Sequence, residues 1–406
     1  MAVACSLLSS VVLARALGPD QYGLYALALS VVSMLALAVH LGLPNLVIRE
    51  TGRALATEEF SLMRGIRVWA AGIMLCTGIL VAGGFLAWLY IYPSLAEARR
   101  SAFLAAAPLI ILLAIATVSS GVLTGLRKIL WGVLPNQVVR PVLLSLAVLL
   151  WILLGRPIDA VNTMQMHTVV AALTIIIGLT AIRHYSPNLH KFRIALNKKN
   201  WQSALIPLTL VVAIQLISTN TDLILLAISV QDAEIGRYRI AVSIAQIAMF
   251  GMTVGQVVLQ AHAAGLHATG QHDALQKIVK EASRLGFGLV ALATLILIPF
   301  GKPLLGLVFG QQFALAATPL AIILIGKLIT AYVGASEVML AMGGEEKILL
   351  WANISSLVVK VLSCVILIPL YGVEGAAAAT TLSTALAAVL TAVAVKRRLH
   401  LSTTAF

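Results

Sequence analysis

The sequence predicts an all-α polytopic membrane protein, and three observations predict it. Of the 406 residues, 60% are hydrophobic and only 11% are charged. The mean hydropathy is +1.01, and apolar runs of about 20 residues recur between short polar breaks. A hydrocarbon slab roughly 30 Å thick demands runs of that length from helices, and the alternating pattern of a membrane β-barrel is absent. The composition excludes an ordinary soluble domain. A formal net charge of +13 would suggest nucleic acid in a soluble protein, but here the basic residues belong first to the loops between spans, and no nucleic-acid partner is expected.

Taken in order, Met1–Leu13 reads as a first span clipped at its start, with the true beginning upstream, before Arg15 and Gly18-Pro19 interrupt it. Further spans are expected at Tyr22–Ile48, Ile66–Tyr92, Ala102–Leu126, Ile129–Leu154 and Val161–Ile182. The polar, basic stretch from Arg183 to Gln202 then reads as a linker between halves. The second half is expected to span at Ala204–Val230, Ile235–Gln260, Leu285–Phe309, Ala314–Met342, Ile348–Leu370 and Val373–Val395. The organisation is therefore an N-terminal lobe (1–183), a basic linker (184–203), a C-terminal lobe (204–398) and a short tail (399–406), about 12 helices in all, six per lobe.

An internal echo supports two lobes. Tyr22–Gly42 laid over Ile235–Gly255 without a gap pairs Gly23 with Gly236, Tyr25 with Tyr238, Ala28 with Ala241, Ser30 with Ser243 and Gly42 with Gly255. Chance matching of small residues in an Ala/Leu-rich chain is the competing explanation, and the paired tyrosines argue against it. An even number of spans per half makes this a parallel repeat about an axis along the membrane normal, with the interface between halves as the candidate pathway. Loop charge sets the orientation. With the N-terminus cytoplasmic, about 18 basic residues fall on the cytoplasmic side and about five on the other, so both termini are expected in the cytoplasm.

Some charges remain inside the spans. Arg140, Lys327 and Lys360 each lie about ten residues from a span end, roughly 15 Å deep at helical rise. Facing lipid, each would cost about 2.5–3.5 kcal/mol on insertion scales. Asp222 and Glu337 are the acids in matching positions. Asn136, Gln137 and Arg140 share one helical face beside Pro141, and Gln215, Asn220 and Asp222 form a similar stripe. Two readings stay open. The acids simply neutralise neighbouring bases to hold the bundle together, or the bases line a hydrated cationic cavity for an anionic, phosphate-bearing substrate, with Asp222 and Glu337 as candidate coupling carboxylates.

Other candidates carry less. His40 and His167 are intramembrane but read as hydrogen-bonded side chains, and His262, His267 and His272 have the wrong spacing for a helical ligand pair. Cys5, Cys76 and Cys364 read as buried small side chains, so no metal and no cofactor are expected. Gly301-Lys302 and Gly326-Lys327 lack the remainder of a phosphate loop, and no zinc-protease or nucleophile-elbow motif occurs. A membrane glycan polymerase would need paired carboxylates on an outer loop; Asp232 with Glu234 is the available pair, and a solvated loop explains it. The chain is not expected to be an enzyme.

The run ARALGPDQYGLYALALSVVSMLALAVHLGLPNLVIRE resembles the N-terminal signature of the polysaccharide transporter family, the Wzx-type O-antigen translocases. Gly18, Pro19, Tyr22 and Gly23 match its Leu-Gly-Pro-x-x-Tyr-Gly, and Arg49 and Glu50 match its Arg-Glu. NTDLILLAISVQDAEIGRYRIA and IPLYGVEGAAAATTLS resemble two later passages of the family. The resemblance implies the fold of the multidrug/oligosaccharidyl-lipid/polysaccharide exporter superfamily, two six-helix lobes that alternate their opening. It further implies a flippase that moves polyprenyl-diphosphate-linked oligosaccharide across the cytoplasmic (inner) membrane for surface polymers such as O-antigen. Partners implied are that lipid-linked substrate, membrane lipids, the polymerase and chain-length machinery, and a coupling proton or sodium ion. A cation-coupled multidrug exporter of the same superfamily is the alternative. That fold sometimes carries two extra C-terminal spans; none is expected here, and the first span reads as truncated.

Overall fold

A computed structural model describes residues 2–92, 96–250, 252, 272–342, 345–398 and 402–405, and their regular structure is helical, without a strand. Eight of the described helices are long and apolar enough to cross a bilayer, nine if a bent pair in Lys198–Ser229 is counted as one span. The protein is therefore a multi-pass membrane protein. The chain divides into two compact units, Met1–Asn220 and Thr221–Phe406.

The first unit is built round α4 (Glu97–Gly125), whose small residues let neighbours approach. It packs on α1 (Ala2–His40), α2 (Leu43–Ala56), α3 (Phe60–Ile91) and α7 (Ala160–Tyr185). At Gly121 an added Cβ would meet the Pro44 backbone at 2.9 Å, and at Gly125 the Ile48 carbonyl at 2.9 Å. Close backbone contact of this kind is how helices associate where lipid removes the hydrophobic drive. α1 is two helices joined at Gly18, whose φ of 70° and ψ of 173° depart from helix just before Pro19. Proline disfavours helical backbone in the preceding residue, and glycine alone accepts this geometry readily. Gln21 then accepts the Ala160 N–H at 3.0 Å and ties α1 to the start of α7.

The expected span Tyr22–Ile48 is not continuous. The helix stops at His40, Leu41 turns to φ 48°, and α2 starts afresh at Leu43 with Pro44 in its first turn, where a missing N–H costs nothing. α2 is amphipathic, burying Leu43, Leu46, Val47, Thr51 and Ala54 at helical spacing. After α4 come a short α5 (Ile129–Leu134), a π-helical turn (Pro135–Val139) and α6 (Arg140–Leu153). The expected linker is folded onto this unit. Ala195 donates its N–H to Ser61 O at 3.2 Å, Arg64 donates to Phe192 O at 2.6 Å, and Arg67 to Ser186 Oγ at 2.9 Å. A Cβ on Gly65 would collide with the Ala195 carbonyl, so α3 needs glycine there. α8 (Lys198–Ser229) follows, with Trp201 buried beside Trp69 at 5.4 Å between ring centroids.

The second unit packs α9 (Asp232–Ala248), α10 (His272–Phe309) and α13 (Glu346–Arg398) round α11 (Ala317–Val333). α13 has 53 residues, about 80 Å if straight and far beyond a bilayer. Gly372, at φ 56° and ψ −124°, breaks it between the two spans expected from sequence. The expected span Ala314–Met342 is interrupted too. A 3-10 turn (Gln311–Ala316) precedes α11, Gly334 ends it at φ 78°, and a separate α12 (Ser336–Met342) follows. Most of the expected span beyond Ala248, including Gly255 of the repeat, lies outside the described residues, as do His262, His267 and the side chains of Gln215 and His272. Cys364 is buried as expected, but Cys76 is exposed and Cys5 half-buried. α3 turns that face outward, with Leu75, Ile79 and Leu80 also exposed.

Candidate functional site

Each unit contains a polar centre built round one of the two tyrosines that the internal echo pairs. In the second unit the centre is Asp222, on α8. Its Oδ2 accepts from Tyr238 Oη at 2.6 Å and from Thr380 Oγ1 at 3.1 Å, and Lys360 Nζ lies 3.1 Å away. Its Oδ1 accepts the Leu223 N–H at 3.0 Å. Lys360 and Asp222 are almost wholly buried, with side chains 6% and 4% exposed. The pair draws together α8, α9 and both arms of α13. A buried carboxylate with four donors is electrostatically satisfied, so the pair is neutral. Lys327, half-buried on α11, stands within electrostatic reach of Lys360, Asp222 and Glu337.

The sequence leaves pairing and an open cavity as rivals. For Lys360 and Asp222 the geometry is that of a pair. Glu337 is not on a helix long enough to span a bilayer. The Gly334 break leaves it in the first turn of the seven-residue α12, with its side chain exposed. In the second unit Lys360 is thus paired with Asp222, while Lys327 has Asp222 and Glu337 within electrostatic reach and no ion pair among the described residues.

The first unit is different. Tyr25, buried on α1, hydrogen-bonds His167 Nδ1 on α7 at 3.0 Å, and the rings stack with centroids 6.1 Å apart. Arg140 stands within electrostatic reach of both, on the first turn of α6 just past the π-helical turn. No ion pair among the described residues joins it to a carboxylate. π-turns recur at functional positions because they rotate one side chain out of the regular helical register. Asn136 lies in this turn, with Nδ2 donating to Ala116 O at 3.2 Å and Oδ1 buried without a partner. Gln137, by contrast, is exposed. Unlike Lys360 and Lys327, Arg140 has no carboxylate among its electrostatic neighbours in the described residues.

The signature residues all lie in the first unit. Gly18 and Pro19 make the α1 kink, buried Tyr22 lies 6.2 Å from the Tyr25 ring, and Gly23 is buried. Exposed Arg49 pairs with neighbouring Glu50 at 3.0 Å, and Glu50 also accepts from Trp201 Nε1 at 3.4 Å. Asp232 and Glu234 lie in the first turn of α9, where the helix dipole favours acids. Among the described residues no three His, Cys, Asp or Glu side chains converge as a metal would require. His167 is hydrogen-bonded as expected, though its partner was not foreseen, and sequence reasoning missed Thr380. For Tyr25 and Tyr238 it had a signal, their pairing in the repeat, without a role.

A family model described as polysaccharide biosynthesis protein matches residues 4–259. No curated protein matches the chain. Among solved structures, one described as the lipid II flippase MurJ in an inward closed conformation aligns with TM-score 0.78 at 13% identity, over 97% of this chain and 86% of that one. A multidrug resistance MATE family transporter of the MOP superfamily, inward-facing, aligns with TM-score 0.80 at 16% identity, over 98% and 94%. An outward-facing MATE transporter gives 0.67 at 14% identity, over 98% and 93%. At these identities the likeness shows a shared fold, that of the MOP-superfamily transporters.

Proposed function

Since the chain belongs to the polysaccharide biosynthesis protein family by a match over most of its length, we propose that it is a flippase that moves polyprenyl-diphosphate-linked oligosaccharide across the cytoplasmic membrane for surface polysaccharide. One observation carries the reading: Arg140, half-buried in the first unit, stands within electrostatic reach of Tyr25 and His167, without an acid as ion-pair partner among the described residues. An Arg kept in an apolar bundle is costly unless water or an anion reaches it. A guanidinium offers a planar fork of donors that suits phosphate. A lipid-linked diphosphate carries that anion on a tail that can remain in the bilayer. The protein then need only lower the barrier for the head group, by alternating between states open to each side.

About twelve spans, a parallel relation between the halves and cytoplasmic termini complete the proposal. The like placement of Tyr25 and Tyr238 at the polar centre of each unit favours the repeat. Asp222 is proposed as the fixed counter-ion of Lys360, leaving Arg140 as the base proposed for substrate. The likeness to MATE transporters favours a second reading, a cation-coupled exporter of organic cations, against which an unneutralised Arg140 stands. A host lacking its own flippase separates the two. Expression of the chain restores surface polymer, Arg140→Ala accumulates in the membrane but does not restore it, and sensitivity to cationic dyes is unchanged. Full restoration by Arg140→Ala refutes the assignment of Arg140.

A further inference from the structure

The basic and aromatic residues of α3 mark where the bilayer begins and ends. Arg64 and Arg67 lie in its second turn, while Trp88, Tyr90 and Tyr92, all exposed, lie at its other end. The 68–88 stretch between them is about 30 Å long, the thickness of the hydrocarbon, with an aromatic belt at one boundary and cations at the other. A groove of about 560 Å³ starts at the basic boundary and runs along α3. Its floor is two adjacent ridges at four-residue spacing, Val68-Gly72-Cys76 and Trp69-Ile73-Thr77. Its wall is Ile194 and Leu196 from the segment folded onto α3, and Lys198 completes the lining.

Three features need explaining together. Val68, Ile194 and Leu196 are 49%, 46% and 47% exposed, so the groove presents apolar side chains that none of the described residues covers. Gly72 leaves a notch, since a Cβ there would meet nothing within 4 Å. The wall is also held firmly, by the Ala195–Ser61 and Arg64–Phe192 hydrogen bonds and by Phe192 against Phe60 at 5.1 Å between centroids. A held apolar channel that spans one leaflet's depth and carries an exposed ammonium in its lining matches an acyl chain beneath a phosphate. We propose that this groove is a binding site for an anionic phospholipid of the surrounding membrane, one acyl chain lying over Gly72 and the phosphate on Lys198. The lipid would fasten the segment before α8 to α3. This inference rests on the membrane setting and stands whatever the cargo.

The test uses the purified full chain carrying Cys5→Ala, in mixed micelles with phosphatidylglycerol or phosphatidylcholine of identical chains. Of the other two cysteines, Cys76 is exposed in the groove and Cys364 is buried, so maleimide labelling reads groove occupancy. Phosphatidylglycerol is expected to slow labelling at about fivefold lower mole fraction than phosphatidylcholine, the preference one lysine confers. Lys198→Gln should abolish that preference. Gly72→Leu, which points into open space and leaves packing intact, should make labelling independent of lipid and remove the phospholipid adduct retained in native mass spectrometry. Equal labelling in both lipids, an undiminished preference in Lys198→Gln, or protection that requires a second copy of the chain rather than lipid would each overturn the proposal.

Discussion

Removing Asp222 tests whether Lys360 is held as half of a pair or is presented to a substrate. In Asp222→Ala the ammonium, with its side chain only 6% exposed, loses the carboxylate 3.1 Å away, and Tyr238 and Thr380 lose an acceptor. Breaking a buried pair from one side costs about 3–5 kcal/mol, whereas replacing both members by apolar groups of similar volume is often neutral. Lys360→Met alone leaves Asp222 buried with three donors, a smaller loss of about 2–3 kcal/mol, since hydrogen bonds to a charged group retain much of its stabilisation. The double variant Asp222→Ala/Lys360→Met should regain most of the loss, giving a coupling of at least about 2 kcal/mol in a double-mutant cycle. Unfolding of the purified protein by denaturant, followed by tryptophan fluorescence, measures all four corners. Additive losses would refute the pairing. So would a Lys360→Met protein of unchanged stability that fails only in transport.

Tyr238→Phe deletes the shortest donor to Asp222, at 2.6 Å, and should cost about 1.5–3 kcal/mol in the same unfolding assay. Gly65→Ala drives a methyl into the Ala195 carbonyl, and limited proteolysis should then cut the 186–197 segment faster while the helical circular dichroism is retained. Gly18→Ala forces a side chain into φ 70°, ψ 173°, an essentially glycine-only conformation, at a cost of about 1–3 kcal/mol, seen as a lowered unfolding midpoint.

Hydropathy located several span boundaries because a bilayer imposes length and polarity directly: α4, the run from α5 through α6, and α7 begin and end within about five residues of expectation. It missed the breaks at Leu41–Gly42 and Gly334 because the residues on either side stay apolar, so a window average does not register a change of direction. Gly42 followed by Pro44 carried the signal in local form. The linker was legible as polar, but its docking on α3 depends on Gly65 and on hydrogen bonds between residues 128 and 134 apart in sequence, Arg64 to the Phe192 carbonyl and Ala195 N–H to the Ser61 carbonyl. Likewise the deep charges were visible, but not which of three bases would meet Asp222, since Lys360 reaches it across most of the second unit. Tyr25 and Tyr238 stood out only by their echo. Their shared task, each hydrogen-bonded at the centre of its own unit, emerges from the fold.

The central claim is met most directly by proteoliposomes that hold a polyprenyl-diphosphate oligosaccharide bearing a fluorescent sugar, with its transfer between leaflets read by quenching from outside. Wild-type protein should raise the transfer rate well above empty vesicles, and Arg140→Ala, inserted to the same level, should return it to background. Transfer by Arg140→Ala at the wild-type rate, or none by the wild type, would contradict the account.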